Sequence, residues 1–435
     1  MIGLLQYFGA AQALAPWINQ TSVGEAFANL RQRNQFATLT NVALAALLWW
    51  VEQERFLVSK LNVQASSRWL VMLTACILAF GNAASSSRTG LLQTGLLVLL
   101  LGIWGGLHKP RVHCVLMAFG LTYVTALVLL PSLTGMDPLI HGAWARMRTG
   151  DAVCASRLTL WSNVLQLIAQ KPWFGWGWGE LDYAHYTTLY DGPRFCDLLD
   201  NAHNLPLHLA VELGVPAALF FCGGVLWWIF RLQPWCETDA TRQLAWAVLA
   251  LIGLHSLLEY PLWYGPFQMA VGLCVLMLWR GNHSVGDQKL KKNWALAHIY
   301  RALVAIFLIV MAGYAAWDYH RISQIYLAPQ ARAAAYREDT LAKIRNSWLF
   351  ANQVSFAELS LTPLTQANAQ WTFATAKALL HYSPEPRVIE KVIESAVMLG
   401  RDDEALLHLA RYRAAFPQAH AKWREAKGLM DGPED

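Results

Sequence analysis

Charge is scarce in this chain. Only 14% of its 435 residues are Asp, Glu, Lys or Arg, whereas 55% are hydrophobic and the mean hydropathy is +0.29. A soluble domain carries about 25% charge, so a wholly soluble protein is excluded and a multi-pass membrane protein with some soluble mass remains. The net charge of +5 is not gathered into a dense Lys/Arg block, which excludes a nucleic-acid-binding face. The seven cysteines show no Cys-x-x-Cys spacing, so no metal site is expected. No Asp-x-Asp motif is present, which disfavours a metal-dependent sugar-nucleotide transferase of that style. Met1 opens directly into an apolar stretch without a basic leader, so no cleavable signal peptide is expected.

What is present is a series of apolar runs. A span needs about 20 mostly apolar residues. The runs fall at residues 2–17, 36–51, 69–83, 90–106, 113–130, 205–230, 244–258, 262–279 and 302–317. The fold class predicted is all-α: a polytopic helical membrane protein of about eight or nine spans. Residues 1–317 form the membrane part, with a large outer loop at 131–204, and residues 318–435 form a helical tail. Basic residues favour the cytoplasmic side. The turn His108-Lys109-Pro110-Arg111 and the segment carrying Arg280, Lys289, Lys291 and Lys292 are basic and are expected there. Alternation then places the loop and the tail outside, which is the periplasm in a Gram-negative inner membrane.

The same topology puts several polar clusters on the outer side. Arg31 and Arg33 lie in one, and Arg88 follows Ser85-Ser86-Ser87 in another. Arginines at this level also anchor to lipid phosphate. Serines ahead of Arg88 suit a helix cap, and a helix N-terminus with an arginine suits an anion such as a diphosphate. His203 lies in Asp200-Asn201-Ala202-His203-Asn204, just before an apolar run. Imidazole titrates near neutral pH, so His203 is the best candidate general base. Asp200 is the expected orienting carboxylate, and Asn201 and Asn204 are expected to hold polar substrate groups. A structural interfacial histidine is the competing reading. Within the loop, residues 157–170 predict an amphipathic helix with Leu158, Trp161, Leu165 and Ile168 on one face. The run Phe174-Gly175-Trp176-Gly177-Trp178-Gly179 predicts a flexible turn presenting indole faces to the bilayer interface or to sugars. Cys154 and Cys196 are the two cysteines of this loop, and an oxidising compartment permits their pairing.

The ordered motifs resemble a known family. They are Ser87-Arg88-Thr89, then Arg157-Leu158 with Leu160-Trp161, then Pro172 with Gly175, Gly177 and Gly179. Asp200, Ala202, His203 and Asn204 follow with Glu212 and Gly214, and Glu259-Tyr260-Pro261-Leu262-Trp263-Tyr264 closes the series. The order is similar to the O-antigen ligase-like superfamily, and within it to bacterial O-linked protein oligosaccharyltransferases of the pilin-glycosylating type. The resemblance implies a metal-independent, cofactor-free transferase taking an oligosaccharide from undecaprenyl diphosphate to a Ser or Thr hydroxyl of a periplasmic or pilin protein. It implies that His203 assists the acceptor hydroxyl, that Arg88 and Arg157 bind the diphosphate, and that the anomeric centre inverts. Arg31, Arg33, Glu259 and Tyr260 complete the expected substrate site. Members of the family generally carry several more spans before the segment matching 29–34, and this chain starts about there.

The tail predicts successive amphipathic helices at 331–336, 376–382, 387–399 and 403–416, resembling a tetratricopeptide-type array. Such a tail fits peptide docking or a stabilising cap. Within the superfamily, ligation of O-antigen to a lipid core, or its polymerisation, is the alternative. A lipid-linked glycan transporter would need polar residues near the midplane. The runs are mostly clean apart from Gln93, His208, Glu212 and His255.

Overall fold

The computed structural model describes residues 1–14, 17–57, 65–137, 153–280 and 294–428. The basic run Lys289, Lys291 and Lys292 lies outside the described residues, as does 138–152 of the large loop. Among the described residues the regular structure is all helical. In chain order the helices are α1 (Ile2–Tyr7), α2 (Arg33–Leu57), α3 (Ala65–Ser85), α4 (Arg88–Ile103), α5 (Pro110–Leu133), α6 (Arg157–Gln170) and α7 (Leu181–Thr187). Then come α8 (Leu205–Leu213), α9 (Val215–Leu232), α10 (Ala240–Ser256), α11 (Gly265–Arg280) and α12 (Trp294–Ser323). The tail holds α13 (Thr340–Ile344), α14 (Ala351–Leu361), α15 (Ala369–Leu379), α16 (Pro386–Met398), α17 (Asp402–Ala415) and α18 (Pro417–Ala426).

Local chemistry sets the boundaries. Ser87, Ser156 and Asp239 cap α4, α6 and α10, each side chain accepting a first-turn N–H. Proline opens α5, α16 and α18, where its missing N–H costs nothing.

The stretches Arg68–Ser85, Pro110–Leu133, Val215–Cys236 and Ile299–Tyr326 are long and apolar enough to cross a bilayer, and the chain is a multi-pass membrane protein. Two expected spans are corrected. Among the described residues of 2–17 the helical elements are the six-residue α1 and a 3-10 turn, Ala10–Leu14; a helix of six residues rises roughly 9 Å. Residues 205–230 are not one helix, because Gly214 at φ +90° divides α8 from α9.

The chain divides into two compact units, Met1–Ala152 with Ala202–Leu209 and Pro216–Val285, and Val153–Asn201 with Ala210–Val215 and Gly286–Asp435. In the first unit, Ala75, Ala79 and Ala83 recur every fourth residue on α3 and are buried. Small residues at that spacing let helix backbones approach without lipid between them. On α5, Val112, Val115, Phe119, Tyr123, Ala126 and Leu130 face this core. Met117, Leu121, Val124 and Val128 form the opposite, exposed stripe, as a helix bathed in acyl chains requires.

In the second unit the amphipathic α16 supplies Val388, Ile389, Val392, Ile393 and Ala396 to a core shared with α14, α15 and α17. The loop helix α7 joins that core through the buried Tyr186, whose hydroxyl bonds His408 Nδ1 at 2.9 Å. The expected helix at 331–336 is corrected to two 3-10 turns, Pro329–Ala331 and Ala334–Tyr336. On α6 the buried apolar residues are Leu160, Val164, Leu167 and Ile168, while Leu158 and Leu165 are exposed, so only Ile168 of the expected apolar face is buried. Cys154 and Cys196 are joined in a disulfide with Cα atoms 5.2 Å apart.

Candidate active site

The first unit gathers its polar groups at one end of α2. Pro261 follows Glu259 and Tyr260 and stops α10 from continuing, which leaves the Glu259 carboxylate in a turn. Glu259 is only 4% exposed, and both of its oxygens are engaged. His203 Nδ1 lies 2.6 Å from Oε2, and Asn34 on the first turn of α2 donates its Nδ2–H to Oε1 at 3.0 Å. Asn34 Oδ1 in turn accepts from Ser87 Oγ at 2.6 Å, and Ser87 Oγ caps Gly90 N–H at 3.0 Å. One hydrogen-bonded chain thus runs from the histidine to the N-terminus of α4, where Arg88 is the first residue. Tyr260 sets its ring edge-to-face against His203 at 5.0 Å.

His203 has φ +50°, in the left-handed region that side chains rarely adopt. Strain of this kind concentrates at functional positions because the surroundings must hold it. Asn204 does the holding. Its Oδ1 accepts Leu207 N–H at 3.1 Å, and its Nδ2 donates to the Leu257 carbonyl at 3.0 Å. Its amide fastens the His203 turn to the segment before Glu259.

A carboxylate distant in sequence, Glu259, bonds the His203 imidazole. With Nδ1–H donated to a carboxylate, the basic lone pair lies on Nε2. That arrangement can take a proton from a hydroxyl and stabilise the imidazolium that results.

Beneath this cluster the unit carries a buried polar network. Thr38 Oγ1 meets His255 Nδ1 at 2.8 Å, Gln93 Nε2 donates to the Leu251 carbonyl at 2.9 Å, and Asn82 donates to Thr40 and Asn41 at 3.0 Å each. Gln93 and His255 stand out in the sequence; Thr38, Asn41 and Asn82 do not. In apolar surroundings each bond matters, because a partnerless polar group there is costly. The network ties α2, α3, α4 and α10 together.

The arginines differ in their setting. Arg88 is exposed on α4. Arg31 is exposed at φ +59°, and Arg33 is held by Glu25 at 2.8 Å. Arg157, Asp200 and Asn201 belong to the second unit. Arg157 occupies the first position of α6 behind its serine cap, Asn201 is buried and Asp200 is exposed.

The Gly/Trp run is not the flexible turn expected. Its backbone pairs with the end of α8: Trp176 N–H to the Val211 carbonyl at 2.9 Å, Gly177 N–H to Glu212 at 3.0 Å and Val215 N–H to Pro172 at 2.8 Å. The Trp176 indole donates to the Leu167 carbonyl at 3.0 Å and is covered by the Lys171 ammonium at 4.0 Å. Trp173 and Trp178 stay largely exposed. Nearby, burial pushes the Asp182 carboxyl up to about 7, with Glu180 and Asp200 adding repulsion. A raised carboxyl pKa costs stability as pH climbs from its ordinary value through the folded one. Asp182→Asn is therefore expected to stabilise the chain at pH 8 and to leave it near parental at pH 4. Unfolding midpoints at the two pH values check this, and a difference that shrinks as pH rises contradicts it.

Comparison with known proteins adds the following. Residues 70–222 match the family described as O-Antigen ligase, residues 26–51 match Protein glycosylation ligase, and residues 243–429 match Virulence factor membrane-bound polymerase, C-terminal. The chain is 25% identical over 289 residues to the ComP-specific O-oligosaccharyltransferase of Acinetobacter baylyi, covering 66% of this chain and 48% of that protein. It is 25% identical over 263 residues to the General O-oligosaccharyltransferase of the same organism, covering 57% and 42%. The chain thus spans about half the length of the curated relatives it matches. No solved structure matches.

Proposed function

Since the chain is O-antigen ligase-like and similar to bacterial O-oligosaccharyltransferases, we propose that it transfers an oligosaccharide from undecaprenyl diphosphate to Ser or Thr hydroxyls of a periplasmic protein such as a pilin. The observation that carries this reading is the 2.6 Å His203–Glu259 pair, linked through Asn34 and Ser87 to the start of α4. The acceptor oxygen forms a bond to the anomeric carbon while the bond to the diphosphate oxygen breaks, inverting the centre. The hydroxyl proton passes to His203 Nε2, and Glu259 stabilises the imidazolium. Undecaprenyl diphosphate leaves with the bonding pair, so no metal or cofactor is required. Arg88, beside the α4 N-terminus, meets the developing charge on the diphosphate. Arg157 and Arg31 are further diphosphate ligands in this reading, and Arg33, paired with Glu25, shapes the segment that carries Arg31. Asn201 and Tyr260 line the acceptor side, and Asp200 is a peripheral acid rather than the partner of His203.

The site faces the periplasm of an inner membrane, and the helical hairpins of the tail dock the acceptor. The match of residues 243–429 to a polymerase C-terminal family favours one second reading, in which the acceptor hydroxyl belongs to another glycan. Offering the purified chain lipid-linked oligosaccharide with a pilin acceptor, or without one, separates the two by product mass. Arg88→Ala is expected to lower transfer about 10²-fold, as loss of one charge-stabilising donor does. Initial rates over a donor titration read this out, and a rate unchanged at every donor concentration contradicts the assignment.

A further inference from the structure

The opposite end of the first unit carries a second feature. A cavity of about 420 Å³ opens where α2 ends and α5 and α10 begin, lined by Val51, Glu52, His108, Lys109, Arg111 and Val112 among others. Eighteen residues of α2 separate Asn34 from Glu52, a rise of roughly 27 Å, so the cavity lies about one hydrocarbon thickness from the His203 cluster. Lys109 pairs with Glu52 at 2.8 Å, and Glu52 is the more buried of the two. Arg111 is exposed at the rim. No side chain caps the start of α5, whose first-turn N–H groups add to the donors there. Trp49 Nε1 to Thr241 at 3.3 Å and Trp104 Nε1 to the Pro234 carbonyl at 2.8 Å brace the surrounding turns.

We propose that this cavity binds a phosphate group, taken from the headgroup of an anionic phospholipid. Cationic side chains supply the anion contacts, and Val51, Pro110, Val112 and Ala240 supply apolar wall for the glycerol and first methylenes. Basic pockets between helices at the membrane surface recognise such headgroups by this chemistry. The bound phosphate competes with Glu52 for Lys109, so Glu52 sets the affinity from within the site.

The test places the full chain in nanodiscs of equal parts phosphatidylglycerol and phosphatidylcholine and counts retained lipids by native mass spectrometry. The parent is expected to retain phosphatidylglycerol selectively, and Lys109→Gln with Arg111→Gln to lower that retention on the order of ten- to thirty-fold. Glu52→Gln is expected to raise it, a direction that a merely structural role for Glu52 does not produce. Both arginine and lysine heads reach solvent, and equal unfolding midpoints verify that the variants fold. Inorganic phosphate binding to the delipidated parent, lost in the double variant, supports the phosphate site and assigns it to soluble phosphates; phosphatidylglycerol binding without it assigns the lipid. Retention indifferent to headgroup, or equal in parent and double variant, overturns the proposal.

Discussion

His203→Ala is expected to lower glycan transfer by about 10²–10⁴, the range for loss of a placed general base. The partner matters as much as the imidazole. Glu259 is buried and held by Asn34, so its carboxylate cannot swing away and its charge acts on the ring at 2.6 Å. Glu259→Gln keeps a hydrogen-bond acceptor while removing the charge that stabilises the imidazolium, and is expected to cost about 10²-fold or more. Groups that act as a unit are not additive. The double variant is therefore expected to be no slower than His203→Ala alone. Rates of all three, with equal expression and unfolding midpoints, check this; losses that multiply would mean that the two residues act separately.

Gly214→Ala and Gly175→Ala are each expected to destabilise the second unit by roughly 2–6 kcal/mol, summing the cost of backbone strain and of overpacking. Both glycines have positive φ, and a Cβ on either would overlap the backbone of the opposite strand of chain: Trp173 for Gly214 and Glu212 for Gly175. Neither clash is relieved by turning a flexible side chain. Gly120→Ala is the matched control, because a Cβ there meets nothing within 4 Å and the residue lies inside α5. Limited proteolysis and unfolding midpoints distinguish these outcomes, and parental stability in both variants would show that the turn can open without cost.

The sequence makes the helical class, the membrane habit and the polar break at Glu259-Tyr260-Pro261 legible because composition and proline act locally. It also directs attention to the polar runs around Asn34, Ser87 and His203. The pairing among them is another matter. His203 and Glu259 are 56 residues apart, and Asn34 and Ser87 are 53 apart. Adjacency draws attention to Asp200, whereas a bond to Glu259 depends on tertiary packing that no local pattern records. The break at Gly214 is invisible to hydropathy, although His208 and Glu212 within the same run signal that its first part is not ordinary lipid-facing helix. Tyr186 in the core of the tail lies beyond any local pattern, since its aromatic ring reads equally well as a loop residue. The cysteine pair is an intermediate case: a count of two in one loop suggests the bond that the structure contains.

The role of His203 in glycan transfer is tested most directly in proteoliposomes holding this chain, undecaprenyl-diphosphate oligosaccharide and a pilin acceptor. The mass of the acceptor is read before and after incubation. The parent is expected to add the mass of one oligosaccharide at a Ser or Thr, and His203→Ala to add none in the same time. Equal glycan addition by the parent and His203→Ala would contradict it, as would a parent that leaves the acceptor unmodified while the donor is intact and accessible.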